Sequence, residues 1–360
     1  MESHLFLTGA TGYIGASLLQ KWLTSSGSKI TLLVRGKRDD DPRKRINKVL
    51  AELFPSSELA ALWKRMDIVE GDVSFDRFGL KGSVYSGLAA RITHVIHCAA
   101  AARFDLELEE ARKVNVTGAD NALKFAGECE HLSRMDYIGT AYVAGKRKGI
   151  VRENELDEGQ EHNNTYEKSK LEAEKLVREG ARKLPVAILR PSIVICDSKT
   201  GRASNFNGFY RALRLYAHGF LKFLPAYAAS SMDLVPVDYV TDAIFSISHD
   251  PESTGRCYHL TAGLDNGTSI QEIAELAAHH FGREKFRLMP PEEFNSFVAR
   301  MKTSFSEEEQ KMIDEIELYM PYMISELKFD NANTRCAVEA KVPRVSDYFG
   351  KIAEYIMKNG

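Results

Sequence analysis

Two tyrosine–lysine pairs at four-residue spacing, Tyr142 with Lys146 and Tyr166 with Lys170, are the residues most capable of chemistry. The first pair encloses Val143-Ala144-Gly145, and the glycine predicts a loop. The second opens the run Tyr-Glu-Lys-Ser-Lys-Leu-Glu-Ala-Glu-Lys-Leu, strong helix formers with Glu174 and Arg178 four apart. Residues four apart share a helix face, so Tyr166 and Lys170 stand side by side. A tyrosine ordinarily titrates near ~10, and a neighbouring ammonium favours its phenolate. Such a pair can give a proton to a carbonyl oxygen while a hydride arrives at carbon. On its own this helix is most simply read as carrying a surface tyrosine and lysine, but its surroundings shift that balance. Thr140 closes a strand expected over 135–139, which aims a hydroxyl into the crevice at the strand's C-terminal end. Asn115 falls mid-helix, where asparagine is unfavourable without a reason. Its amide would hold a water or a carbonyl near Lys170.

These groups need elements to hold them. The run 5–8 is apolar and ends in Gly9-Ala10-Thr11-Gly12-Tyr13-Ile14-Gly15, after which Ile14, Leu18 and Trp22 recur at helical spacing. The three glycines therefore occupy a strand-to-helix turn, where a dinucleotide pyrophosphate can rest on a helix N-terminus. Glycine also closes ordinary turns, so the flanking strand and helix carry the weight. Further strands are expected at 30–34, 68–70, 94–97 and 186–190, with helices over 107–127 and 166–183 between them. The alternation predicts an α/β fold: a Rossmann-type, doubly wound parallel sheet with helices on both faces. Residues 1–200 form the expected NADP-binding domain, with 236–262 returning to it. Residues 201–235 and 263–360 are expected to form a smaller, mostly helical substrate lobe. It follows a Gly/Ser/Asn-rich loop at 201–208, and Ser269-Ile270-Gln271-Glu272 is a capping box inside it.

The ribose side of the cofactor site selects between nicotinamide cofactors. NAD binders place an acidic residue about 20 positions beyond the glycines. Here the second strand ends in Arg35, and Lys37, Arg38, Arg43, Lys44 and Arg45 follow. A 2′-phosphate suits a planar, permanently charged donor. The cofactor is therefore read as NADPH, with Arg35 and Arg45 on its phosphate. A solvated basic loop is the alternative, since Asp39, Asp40 and Asp41 lie alongside, and Asp41-Pro42 reads as an N-cap and first helical residue.

Composition narrows the class. The chain has 360 residues, 44% of them hydrophobic, and a formal net charge of -2, which implies no general attraction to nucleic acid. Its five cysteines, at 98, 129, 196, 257 and 336, form no C-x-x-C pair and suit a reducing compartment. The first residues already read as a strand rather than a signal peptide, and no apolar run reaches membrane-spanning length, so a cytoplasmic location is expected. No metal site is expected: His94 and His97 flank a buried strand without a ligand cluster, and His279-His280 sits near a helix end, where a cation is favourable.

In order along the chain, 8–15, Gly71-Asp72-Val73, His97-Cys98-Ala99-Ala100, Asn115, Thr140, Tyr166 with Lys170, Leu189-Arg190-Pro191-Ser192 and Val235-Pro236-Val237-Asp238-Tyr239-Val240 resemble the extended short-chain dehydrogenase/reductase superfamily. The likeness covers roughly 5–262. A narrower likeness runs through Val95 to Asp105, Tyr142 to Glu153, Leu184 to Val194, Tyr319-Met320-Pro321-Tyr322 and Phe329-Asp330. These segments are similar to fatty acyl-CoA reductases and thioester reductase domains.

The resemblance implies roles residue by residue. Gly9, Thr11, Gly12, Tyr13, Ile14 and Gly15 would cradle the pyrophosphate. Asp72 and Val73 would hold the adenine, and Cys98, Ala99 and Ala100 would line the cofactor's middle. Pro191, Ser192 and Ile193 would meet the nicotinamide amide. Lys170 would hold the nicotinamide ribose and lower the pKa of Tyr166. Thr140, where many relatives carry serine, and Tyr166 would hydrogen-bond the carbonyl oxygen, with Asn115 completing a proton relay. The reaction implied is reduction of an acyl thioester, on CoA or a carrier protein, to an aldehyde or alcohol. A ketone or hydroxysteroid-type reductase is the alternative. A sugar-nucleotide epimerase fits less well with Arg35, and a non-catalytic NADPH-binding regulator fits less well with the four site residues. The apolar, basic run Phe209 to Leu224 reads as an acyl-chain lid whose arginines meet a phosphate, ahead of an ordinary lobe helix or a membrane-surface face. Cys98 lies on the cofactor path without a base beside it and is not read as a nucleophile.

Overall fold

The computed structural model describes residues 3–36, 40–203, 208–301 and 305–359. Lys37, Arg38 and Asp39 of the expected basic loop, and 204–207 of the expected Gly/Ser/Asn-rich loop, lie outside the described residues. The seven strands of the central sheet are β1 (His4–Thr8), β2 (Lys29–Val34), β3 (Met66–Glu70), β4 (His94–His97), β5 (Arg134–Ile138), β6 (Val186–Pro191) and β7 (Cys257–Leu260). They lie in the order β7-β6-β5-β4-β1-β2-β3. Every pairing is parallel. The strand order reverses at β1, so a crevice opens beyond the carboxyl ends of β1 and β4.

The principal helices are α1 (Tyr13–Ser25), α2 (Leu108–Glu128), α3 (Thr165–Gly180), α4 (Gly208–Ala217), α5 (Val237–His249), α6 (Ile270–Phe281), α7 (Glu307–Met323) and α8 (Val345–Asn359). The period-two alternation of a strand divides the core into two layers. Leu5 and Leu7 of β1 pack with Trp22 of α1 and Ile244 of α5. Phe6, between them, packs on the opposite face with Phe125 of α2 and Val177 of α3. Local capping agrees with the sequence: Asp41 accepts from the Lys44 amide at 2.8 Å, and Ser269 accepts from the Glu272 amide at 3.0 Å.

A second core lies in the lobe, where Tyr210 and Leu213 of α4, Ile273 of α6, and Phe349 and Ile352 of α8 pack together. Phe223–Pro225 pairs in parallel with Arg287–Met289 there. Residues expected in the lobe also return to the sheet. Leu327–Phe329 pairs in parallel with Gly149–Val151. The helix that follows, Ala332–Ala337, places its first amides on Glu153, whose carboxylate accepts from Asn333 at 2.7 Å and Thr334 at 3.3 Å. A buried carboxylate needs donors, and a helix N-terminus supplies them. This partnership, invisible to composition, carries 327–337 to the sheet side.

Candidate active site

β1 ends at Thr8, whose hydroxyl lies 3.0 Å from His97 Nδ1 and accepts from the amides of Cys98 at 3.2 Å and Ala99 at 3.1 Å. One side chain thus joins the two strand ends that border the crevice. Burial holds His97 down to about 3, so it is neutral and takes part as a hydrogen-bonding ring. Gly9 follows with φ 77°, and a Cβ on it would come within 2.6 Å of the Ala99 nitrogen. A Cβ on Gly15 would lie 2.1 Å from the Gly9 carbonyl oxygen. Gly12 caps α1 without a side-chain hydrogen bond, which leaves first-turn amides of a helix open to an anion. Backbone this close and a bare helix terminus fit a dinucleotide pyrophosphate.

The adenosine side carries both expected arginines. Arg45 reaches Thr11 Oγ1 at 2.8 Å and the Arg35 carbonyl oxygen. Arg35 lies 3.5 Å from Asp72. Asp72 also accepts from the Ser74 amide at 2.9 Å and hydroxyl at 2.7 Å. Burial pushes Asp72 up, but Ser74 and Arg35 outweigh it and hold the carboxyl below its usual range. Val73 is buried in the core against Gly118.

A cavity of about 490 Å³ begins at Gly12, Tyr13, Ile14 and Gly15, passes Cys98, Ala100, Thr140, Tyr166, Lys170, Ser192 and Ile193, and continues into the lobe. Its far wall is apolar, with Phe209 and Leu213 of α4, Ile273 of α6, Phe286, and Met312, Ile316 and Tyr319 of α7. The structure therefore brings together most of the predicted cradle and three of the four predicted catalytic residues.

The protonation states follow from burial. Tyr166 is pushed up to about 12 by burial, against a hydrogen bond with Thr140 that lowers it. Lys170 is pushed down to about 8 by burial, against the charges of Cys98 and Glu174. Its Nζ donates to the Ile138 carbonyl at 2.8 Å and lies 4.4 Å from the Tyr137 ring centre. The depression of the tyrosine expected from Lys170 is not found: desolvation of the phenolate dominates and raises Tyr166 instead. Thr140 Oγ1 accepts from the Tyr142 amide at 3.2 Å. Burial raises the Cys98 thiol to about 12, consistent with its rejection as a nucleophile.

Asn115 is buried on α2, and its amide holds a backbone carbonyl, that of Ala101. Its Oδ1 accepts from the Ala101 amide at 2.8 Å, and its Nδ2 donates to Ser169 Oγ at 2.9 Å and the Ala101 carbonyl at 3.2 Å. The amide pins the 98–101 segment to α3. Ser192, on the cavity wall, donates its hydroxyl to Asp233 at 2.5 Å. Arg211 of the expected lid pairs with Glu315 at 2.8 Å, and α4 is a wall of the lobe core. His94 is held by Asp136 at 2.7 Å in a buried cluster with Arg134. Among the described residues, no group of three or more His, Cys, Asp or Glu is placed to hold a metal.

Sequence reasoning gave no role to Phe104, Glu167, Tyr319 and Tyr322, and it set Tyr142 aside in a loop. Phe104 lies 5.8 Å from Tyr166, 5.5 Å from Tyr319 and 5.2 Å from Tyr322, ring centre to ring centre. The signals were the family-like segments Val95 to Asp105, Tyr142 to Glu153 and Tyr319 to Tyr322, which lie far apart along the chain.

A profile of the Male sterility protein family, an NAD-binding family, matches residues 7–244. The chain belongs to this family. Among the chain's relatives is the non-canonical nonribosomal peptide synthetase cpsA of Aspergillus campestris. That protein is 32% identical over 275 residues, which span 73% of this chain and 26% of the synthetase. Fatty acyl-CoA reductase 1 of Rattus norvegicus is 28% identical over 316 residues, spanning 77% of this chain and 61% of that enzyme. This Male sterility family member thus covers only part of either relative. The terminal R domain from the myxalamid PKS-NRPS biosynthetic pathway superposes with a TM-score of 0.85 at 28% identity, covering 100% of this chain and 91% of that one. Among the described residues, no helix is long and apolar enough to cross a membrane.

Proposed function

We propose that this chain reduces an acyl thioester with NADPH, releasing a thiol and an aldehyde, or an alcohol after a second round. The observation that supports the reading best is the single cavity joining the glycine turn, the Thr140–Tyr166–Lys170 group and an apolar lobe wall. Both named relatives, a peptide synthetase and a fatty acyl-CoA reductase, agree with a thioester or acyl substrate. Arg35 and Arg45 flank the turn where an NAD binder would carry a carboxylate, which favours the 2′-phosphate.

Bound NADPH supplies the hydride. Thr140 Oγ1 and Tyr166 Oη receive the carbonyl oxygen and stabilise the negative charge that develops on it. Tyr166, protonated at neutral pH and pushed further up by burial, gives its Oη proton to that oxygen. Lys170 holds a positive charge beside the resulting phenolate and orients the nicotinamide ribose. The tetrahedral hemithioacetal then breaks its carbon–sulfur bond, the thiol departs, and the carbonyl re-forms as an aldehyde. The apolar wall of α4, α6 and α7 excludes water and seats the acyl chain.

NADPH oxidation with long-chain acyl-CoA and with acyl-carrier-protein thioesters, with products identified by mass spectrometry, tests the reading. Free thiol with aldehyde or alcohol is expected. Turnover of ketones with none of thioesters would replace it with a simple carbonyl reductase.

A further inference from the structure

Helix α7 reaches the helix that carries Tyr166 at Tyr322. Tyr322 is 4% exposed. Its hydroxyl donates to Glu167 Oε1 at 2.7 Å and accepts from Asn164 Nδ2 at 2.7 Å. These two residues bracket Tyr166 in sequence. Asn164 is the N-cap of α3, accepting from the Glu167 amide at 3.0 Å. Glu167 reaches back to the Asn163 amide at 2.8 Å. The first turn of α3 is therefore a closed ring of hydrogen bonds, and the phenol of Tyr322 is the member supplied from the far end of the chain.

The ring of Tyr322 acts on the other side of Tyr166. It stacks on Phe104 at 5.2 Å and 25°, and Phe104 leans on Tyr166 at 5.8 Å. Thr165 adds a hydrogen bond to the Leu106 carbonyl at 2.7 Å, tying the Phe104 segment to the same helix turn. Tyr166 thus has its backbone held through the Tyr322 hydroxyl and one face of its side chain held through the Tyr322 ring.

We infer that Tyr322 is a positioning residue for the reaction: it aims the Tyr166 hydroxyl at the carbonyl oxygen through Glu167, Asn164 and Phe104. The inference rests on the reading of Tyr166 as the proton donor. Tyr322 also forms the wall of the same cavity, so α7 closes the acyl pocket and sets the donor with one side chain. Donor geometry matters because a displacement of about 1 Å at the reacting atoms costs up to ~10²-fold in rate.

The test is Tyr322→Phe, which keeps the ring and removes only the hydroxyl, assayed on whichever thioester or carbonyl substrate turns over. kcat is expected to fall about 10- to 100-fold, with KM and the NADPH Kd within about twofold of wild type. A kcat within twofold of wild type, or a loss confined to KM, overturns the inference. Glu167→Gln closes a double-mutant cycle. If Tyr322 acts through Glu167, the double variant loses little more than the worse single one, whereas independent, multiplying losses overturn the route. Because the cycle compares variants sharing one altered contact, it remains readable if each lowers stability. Tyr166→Phe is run beside them. Full rate in that variant removes the proton-donor reading itself. Loss of rate there, with full rate in Tyr322→Phe, removes the positioning role alone.

Discussion

At the scale of single residues, burial sets the charge states and so the direction of the chemistry. In the proposed reaction Tyr166 starts as a neutral phenol, suited to giving a proton rather than taking one. Lys170, at about 8, is charged at neutral pH and loses its proton with mild alkali. The rate of carbonyl reduction is therefore expected to fall as pH rises through about 8, and a pH profile of kcat checks it. Stability responds with the opposite sign. Folding lowers Lys170 from 10.5 to about 8, so between those values the unfolded chain binds the extra proton and stability rises with pH. Melting curves of Lys170→Met against wild type should show the difference moving in favour of wild type between pH 7 and 10. Arg45 bridges Thr11 and Arg35, two parts of the expected phosphate site. Arg45→Ala should raise KM for NADPH about 10- to 100-fold, the worth of a charge-assisted hydrogen bond, and leave KM for NADH nearly unchanged. Equal effects on both cofactors would remove Arg45 from the 2′-phosphate.

At the scale of elements, the glycine turn and α3 carry the site for different reasons. The turn works through absence: Gly15 lets α1 begin against the Gly9 carbonyl, with no room for a methyl group. Gly15→Ala should destabilise the chain by roughly 1–3 kcal/mol through overpacking and weaken NADPH binding together with it. Calorimetry and a fluorescence titration would show both, and an unchanged Tm would mean the turn shifts freely. Helix α3 works through presentation. Its four-residue spacing puts Tyr166 and Lys170 on the cavity wall, and Glu174 on the same face pairs with buried Arg190 of β6 at 2.6 Å. The helix is thereby fixed against the strand that leads to Pro191.

At the scale of the whole molecule, two cores share one cavity. The sheet's core holds the cofactor end, and the lobe's core, built from α4, α6 and α8, holds the far end. Ile273 lies both in the lobe core and on the cavity wall. Ile273→Trp should shorten the preferred acyl chain, lowering kcat/KM for long chains by about 10-fold or more while sparing short ones, as methylene-scale discrimination in apolar pockets predicts. A series of acyl-CoA lengths reads this directly, and a uniform loss at all lengths would place the acyl chain elsewhere.

Six of the seven strands of the parallel sheet, the strand-to-helix glycine turn and the Tyr166–Lys170 face were legible in the chain itself, because each depends on neighbours in sequence: periodicity, a turn residue, a four-residue spacing; the edge strand Cys257–Leu260 and the order of the strands were not. The same locality made the caps at Asp41 and Ser269 readable. What the tertiary structure alone decided involves partners far apart in the chain. Asn115 turned to Ala101 and Ser169, Ser192 turned to Asp233, and 327–337 crossed to the sheet to meet Glu153. The upward shift of Tyr166 also belongs to the fold, since desolvation outweighs the Thr140 hydrogen bond only once the site is buried. Tyr322 reaches Glu167 from 155 residues away. No local pattern encodes such a contact, because a hydrogen bond between buried groups is chosen by which atoms the packed core leaves without water.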